Sequence, residues 1–209
     1  MDILGVVSSL LTGQKTEPAA QGQSVVQNLL SPKKAENSKS TDVSSANAIG
    51  VMQVREPVLN DFNKRFGTSF VMENLKNDKI NEQIGNWYWN DEIPRLLEHY
   101  DVPATSINKL LAYNAGPSLA AKRIKNGYVE FKNESFNYLI KSYDKEFGLD
   151  ASQGINVFIP KYEIAAKKVQ QKLKEYGLYE GKIDGKFGPK SKQALIKWIE
   201  NKNNSEALK

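Results

Sequence analysis

Apolar residues recur at intervals of three and four along most of the chain, and few stretches alternate with period two, which predicts an all-α body. Helices are expected over residues 50–66, with Met52, Leu59, Phe62 and Phe66 facing a core, and over 78–100, a segment dense in aromatics. Trp87, Tyr88 and Trp89 are consecutive there, so they cannot share one helical face, and one or two of them belong to the core. A helix from Ser106 is expected to break at Gly116-Pro117 and resume, and an amphipathic helix to follow from Glu134 to Phe147. Further upstream, Val25 to Leu30 has helical spacing, and Ser31-Pro32 reads as a capped helix start. The run "SANAIGVMQVREP" (Ser45 to Pro57) looks like the opening of a buried helix, yet it carries a polar amide, Gln53, among apolar neighbours. An ordinary core does not need that amide, and a binding cleft does.

The pattern divides the chain. Residues 1–23 combine an apolar segment, "MDILGVVSSLLTG", with a small, polar linker containing Pro18 and Gly22. The main helical body is expected over 24–147. The periodicity lapses over 148–161, read as a second linker, and returns over 162–202. There a helix ends at Gly177, a turn-rich stretch "LYEGKIDGKFGPKS" follows, and a last helix closes a small unit.

Composition narrows the chemistry. The 209 residues include no cysteine, which excludes disulfides and thiolate metal sites, and a single histidine, His99, which argues against a Ser-His-Asp triad. No carboxylate cluster has calcium-site spacing, since "KIDGKFG" offers Asp184 alone, and no Gly-rich phosphate loop is present, so no cofactor is expected. The net charge of +5 suits an anionic partner. The lysines are scattered, not clustered among aromatics, which disfavours nucleic acid. Ile3, Val6, Val7, Leu10 and Leu11 fall on one helical face and could dock on a virion or membrane surface. This N-terminus lacks a positive start and a clear cleavage site, so no conventional secretory signal is expected.

Four motifs carry a resemblance. "GVMQV" (Gly50 to Val54), "IGNWYW" (Ile84 to Trp89), "LLAYNAGP" (Leu110 to Pro117) and "NESFNYLIK" (Asn133 to Lys141) stand in the order and spacing of the soluble lytic transglycosylases. These have a lysozyme-like fold related to goose-type lysozyme, and the resemblance spans roughly residues 25–145. The stretch "VQQKLKEYGLYEGKIDGKFGPKSKQAL" resembles the small peptidoglycan-binding module often fused to wall hydrolases. Together they imply a mainly α protein: a lysozyme-like catalytic domain plus a small three-helix peptidoglycan-binding domain. Both halves point to the same polymer, bacterial peptidoglycan.

Cleaving a β-1,4 glycosidic bond requires an acid that protonates the leaving oxygen, and a carboxyl does so near neutral pH only where partial desolvation raises its pKa. The resemblance places that acid at Glu36, fourteen residues before Gly50. The family's acid is usually followed directly by Ser; here Asn37 intervenes before Ser38. Glu56 and Asp42 are the other carboxylates near the motif, the former expected on the surface. Gly50 is expected to let the chain pass close to substrate, Met52 to line the cleft and Gln53 to meet sugar hydroxyls and N-acetyl groups. Tyr113 and Asn114 are expected to form a facing wall, and the resemblance implies that Tyr138 hydrogen-bonds near the acid. Asp184, Gly185, Phe187 and Gly188 are expected to shape a turn.

The resemblance implies a wall-degrading enzyme using one Glu as acid and then base, forming 1,6-anhydro-muramyl ends, and the expected setting is a bacteriophage virion or release to the bacterial periplasm and wall. Two alternatives stay open: a hydrolytic lysozyme, with Asp42 as second carboxylate, and a peptidoglycan-binding protein without catalysis.

Overall fold

The computed structural model describes residues 32, 38–39, 41–128, 130–150, 152 and 154–207, with side chains through 202. Residues 1–31 and 33–37 lie outside it, and with them the apolar N-terminal segment, the Val25–Leu30 stretch and Glu36.

The described residues are mostly helical, as the periodicity predicts. α1 spans Glu56–Phe66. Pro57 stands in its first turn, where no N–H is needed, and Lys64 and Arg65 stand in its last turn, where they complement the carbonyl end. Gly67 ends it at φ +66°, with its N–H on the Asn63 carbonyl. A 3-10 turn, Met72–Lys76, leads to α2, Asp78–Trp87, whose first turn is capped by Asn77 accepting from the N–H groups of Lys79 and Ile80.

The long helix expected over 78–100 is one rod with a fault. A π turn occupies Tyr88–Glu92 before α3, Ile93–His99, begins. Pro94 explains it. Proline has no N–H to donate and its ring would strike the carbonyl a turn back, so the helix widens there. α4 (Ser106–Ala115) starts on a Thr105 cap and ends at Gly116, φ +85°, where Pro117 opens α5 (Pro117–Lys125) at the predicted break. α6 spans Asn133–Ser142 and is followed by a 3-10 turn, Lys145–Phe147. It is not the amphipathic helix expected. Phe136, Asn137, Tyr138, Leu139 and Ile140 are consecutive and all buried, so α6 is the central helix of the body.

The segment expected as a linker over 148–161 is packed. Ile155 and Val157 are buried, and Asn137 of α6 holds them through its amide, donating to the Ile155 carbonyl (2.9 Å) and accepting from the Val157 N–H (3.1 Å). A 3-10 turn at Pro160–Tyr162 precedes α7 (Glu163–Glu175), and α8 (Pro189–Ala207) closes the chain. The three helices expected of this small unit are α7, α8 and that single turn.

Two apolar clusters organise the molecule. A smaller one joins Ile49, Val51, Met52 and Val54 to Leu59 and Phe62 of α1 and Ile84 of α2. The larger runs unbroken from Trp89 and the α4–α6 helices through Ile155 and Val157 to α7 and α8. α8 packs directly on α4, and Trp198 of α8 meets Tyr143 and Phe147 with ring centroids 5.2 and 4.8 Å apart. The small unit is therefore built into the main core.

Candidate active site

The site begins at a local structure that the periodicity misreads. Residues 50–55 are not helical. They form a tight hairpin in which Ile49 and Val54 exchange both backbone hydrogen bonds at 3.0 Å, and Ile49 also pairs with Val43. The turn needs two left-handed residues, Gly50 at φ +79° and Gln53 at φ +49°. For Gln53 that conformation costs about 1 kcal/mol. Its side chain offsets the cost, because Nε2 donates to the Gly50 carbonyl (2.9 Å) and to the Asp42 carbonyl (3.3 Å). The amide expected to face sugar thus also locks the hairpin.

Two further expectations are corrected. Met52 does not line the cleft with its side chain, which is 1% exposed and packs on Gly85 of α2; a Cβ at Gly85 would come within 2.7 Å of it. Gly50 makes its close approach to protein, not to substrate: a Cβ there would lie 2.7 Å from the Leu75 carbonyl and collide with Asn81.

Asn81 was not singled out from the sequence, and it holds the site together. It is fully buried, and its amide accepts from the Met52 N–H (2.8 Å) and donates to the carbonyls of Ile49 (2.7 Å) and Leu75 (3.0 Å). A buried amide with its capacity so fully used fixes one conformation of the loop it serves. Asn81 and Gly85 are spaced i, i+4, so one face of α2 cradles the hairpin.

From the opposite side α4 closes on the same hairpin. The Tyr113 hydroxyl donates to the Met52 carbonyl at 2.6 Å. Asn114, the next residue, accepts from Ser135 Oγ of α6 at 2.8 Å. Tyr138 lies one turn beyond Ser135 on α6 and is 6% exposed. The hairpin and α4 therefore bring together Met52, Gln53, Tyr113 and Asn114, and the Ser135–Asn114 bond ties α6, which carries Tyr138, to α4. Tyr88 of the π turn extends the aromatic wall, with its ring centroid 5.5 Å from that of Tyr113. Burial, reinforced by the carboxylates of Asp61 and Glu92, pushes the Tyr88 phenol up to about 12, so it remains a neutral hydroxyl.

Ser38 is described and half-buried. Asp42 is exposed, and its Oδ2 accepts from the Lys39 N–H at 2.8 Å, which turns it into its own loop. Glu56 is exposed in the first turn of α1, as expected of a surface carboxylate. His99 is exposed at the end of α3. Among the described residues no group of three His, Cys, Asp or Glu is placed to hold a metal, and no helix is long and apolar enough to cross a membrane.

A glycine-turned hairpin held by Asn81 of α2 and by Tyr113 of α4 is the centre of the candidate site in this all-α body. Residues 33–136 match the family described as the transglycosylase SLT domain, and residues 165–198 match a putative peptidoglycan binding domain. The chain carries a transglycosylase SLT domain with a peptidoglycan-binding domain C-terminal to it, which supports an enzyme that breaks glycosidic bonds in peptidoglycan. The first match covers the hairpin and α1 to α5 and ends inside α6; the second covers most of α7 and half of α8. No curated protein and no solved structure matches the chain.

Proposed function

We propose that the chain is a lytic transglycosylase in the strict sense, which cleaves the β-1,4 bond between N-acetylmuramic acid and N-acetylglucosamine without consuming water. Glu36 gives its proton to the leaving glycosidic oxygen. The positive charge that develops at C1 of the muramyl sugar is quenched by that sugar's own 6-hydroxyl. The carboxylate of Glu36 takes the 6-hydroxyl proton as the new C1–O6 bond forms, and the product carries a 1,6-anhydro ring. One carboxyl thus acts as acid and then as base. Gln53 and Asn114 supply amides for the sugar, and Tyr138, as the resemblance implies, hydrogen-bonds near the acid and helps to shield it from water, which favours the protonated form.

The observation that carries this reading over the hydrolytic one is the placement of Asp42. A water-activating or cation-stabilising partner must be turned toward the substrate. Asp42 instead closes its own loop on Lys39, and Glu56 faces solvent at the start of α1. Both are poor second carboxylates. The setting we propose is the bacterial wall, reached from a phage virion or after release to the periplasm.

The test is mass spectrometry of fragments released from purified peptidoglycan by wild type and by Glu36→Gln. Anhydro-muramyl ends from wild type, lost in the variant, are the expected result. Reducing muramyl ends would instead make the chain a hydrolytic lysozyme. Equal release by Glu36→Gln would move the acid elsewhere, and binding without release would leave a wall-binding protein.

A further inference from the structure

A groove of ≈ 390 Å³ lies at the seam between the peptidoglycan-binding domain and the main body. One wall is the turn Asp184–Gly188 of the binding domain. The other is the inter-module segment Val157–Pro160, with Asn133 of α6 at its end. Neither Asn133 nor the inter-module segment belongs to the matched peptidoglycan-binding region, residues 165–198. We infer that this seam groove binds the peptide stems of peptidoglycan, and that the binding site is completed only by residues outside the binding domain. The inference rests on the peptidoglycan reading above.

The groove is preformed by a polar lock. Gln170 of α7 is fully buried, and its amide donates to Asp184 Oδ1 and the Lys186 carbonyl, both at 3.1 Å, and accepts from the Gly185 N–H at 2.9 Å. Gly185, at φ +74°, passes so close to Glu163 that a Cβ would collide with its side chain. The inner side is apolar. Phe158 and Phe187 meet edge to face at 5.5 Å, and Ile159 stands 43% exposed at the lip beside them. Charges of both signs rim it: Glu163 and Asp184 as carboxylates, Lys186 as an ammonium. Hydrogen bonds from the Lys186 N–H and Gln170 hold the Asp184 carboxyl below its usual range.

This chemistry fits a peptide better than a sugar. Saccharides stack on the open face of an aromatic ring; here Phe187 is 6% exposed, and Phe158 is half-buried with the Lys192 ammonium over its ring at 5.4 Å, so the rings of the groove are largely taken up. Stem peptides alternate alanine methyls with carboxylates and a diamino-acid amine. Methyls suit Ile159 and Phe158, a carboxylate suits Lys186, and an amine suits Asp184, while Glu163 already pairs with Lys167 at 2.6 Å. Because α8 and the inter-module segment are packed into the main core, such a groove would hold the wall at a fixed distance from the cleft.

The test is co-sedimentation of the full chain, on ice, with diaminopimelate-type sacculi and with the same sacculi stripped of stem peptides by an amidase. Wild type should bind intact sacculi and lose about tenfold on stripped glycan. Ile159→Ser and Lys186→Glu, both at exposed positions, should each weaken binding to intact sacculi about tenfold while unfolding at the wild-type temperature. Equal binding to stripped glycan, or variants that bind as wild type does, would overturn the groove. Wild type that neither binds sacculi nor releases fragments from them would overturn the peptidoglycan reading itself, and the two failures are distinct.

Discussion

Tyr113 and Met52, 61 residues apart, are joined by a hydrogen bond of 2.6 Å from the tyrosine hydroxyl to the backbone carbonyl. The bond ties α4 to the tip of the hairpin, so the two elements of the candidate site are held in register. Tyr113→Phe keeps the ring against Tyr88 and removes the tie. Stability should fall by about 1 kcal/mol. Release of fragments from peptidoglycan should fall further, by about tenfold to a hundredfold, because misplacement of a reacting geometry costs more than the bond itself. Urea midpoints and fragment release measured on the same preparations check both. Unchanged release would mean that α4 and the hairpin keep register without this bond.

Asn81 makes a second, stricter prediction. Asn81→Leu keeps the volume and leaves the Met52 N–H and the carbonyls of Ile49 and Leu75 without their buried partner. Each such loss costs about 1–3 kcal/mol, so destabilisation of about 3 kcal/mol or more is expected in urea unfolding. A loss below about 1 kcal/mol would show that the hairpin is held by its own bridge to Val43 and not by α2.

The hairpin also shows where sequence reading stops. The apolar run from Ile49 to Val54 is too short for its period to separate helix from strand, and its geometry depends on a left-handed Gln53 that no propensity favours. Asn81 was illegible for a related reason: its role exists only when a residue 29 positions away arrives beside it. By contrast the break at Gly116-Pro117 and the aromatic rod from α2 to α3 were readable, because the first is local backbone chemistry and the second is sustained periodicity. The π turn had a signal in Pro94. The packed segment 148–161 had none, since Ile155 and Val157 are buried singly, by an amide of α6, without any repeat. Of the site residues, Tyr113, Asn114 and Tyr138 were reached through motif resemblance, and the structure gathers them on α4 and α6; the placement of Glu36 falls outside the described residues.

Tyr88 sets a dependence on pH. Its phenol is raised to about 12, against an ordinary 10, chiefly by burial. The folded state therefore holds this proton more tightly than the unfolded chain. The stabilisation is complete below pH 10 and is lost as pH climbs from 10 to about 12. Two units correspond to about 3 kcal/mol at most. Stability of wild type should fall more steeply over that interval than that of Tyr88→Phe, as read from urea unfolding at several pH values. Parallel slopes for the two proteins would place the Tyr88 hydroxyl in solvent.

Trp198 decides whether the two modules are one folding unit. It is 5% exposed on α8, packed edge-on and tilted among Tyr143 and Phe147 of the main body and Tyr176 of its own unit, and Lys202 one turn on pairs with Glu146 at 3.1 Å. A linker-tethered binding domain would melt by itself. A domain whose aromatic core is shared cannot, because its unfolding would expose the flank of α4 and the turn after α6. Wild type should therefore give one calorimetric transition with matching calorimetric and van't Hoff enthalpies. Trp198→Ala should cost about 3–5 kcal/mol and lower that single transition, carrying the catalytic domain down with it. Two separated transitions in wild type, or a variant in which only a small early transition moves, would show instead that the modules fold independently and that the seam is a contact between finished domains.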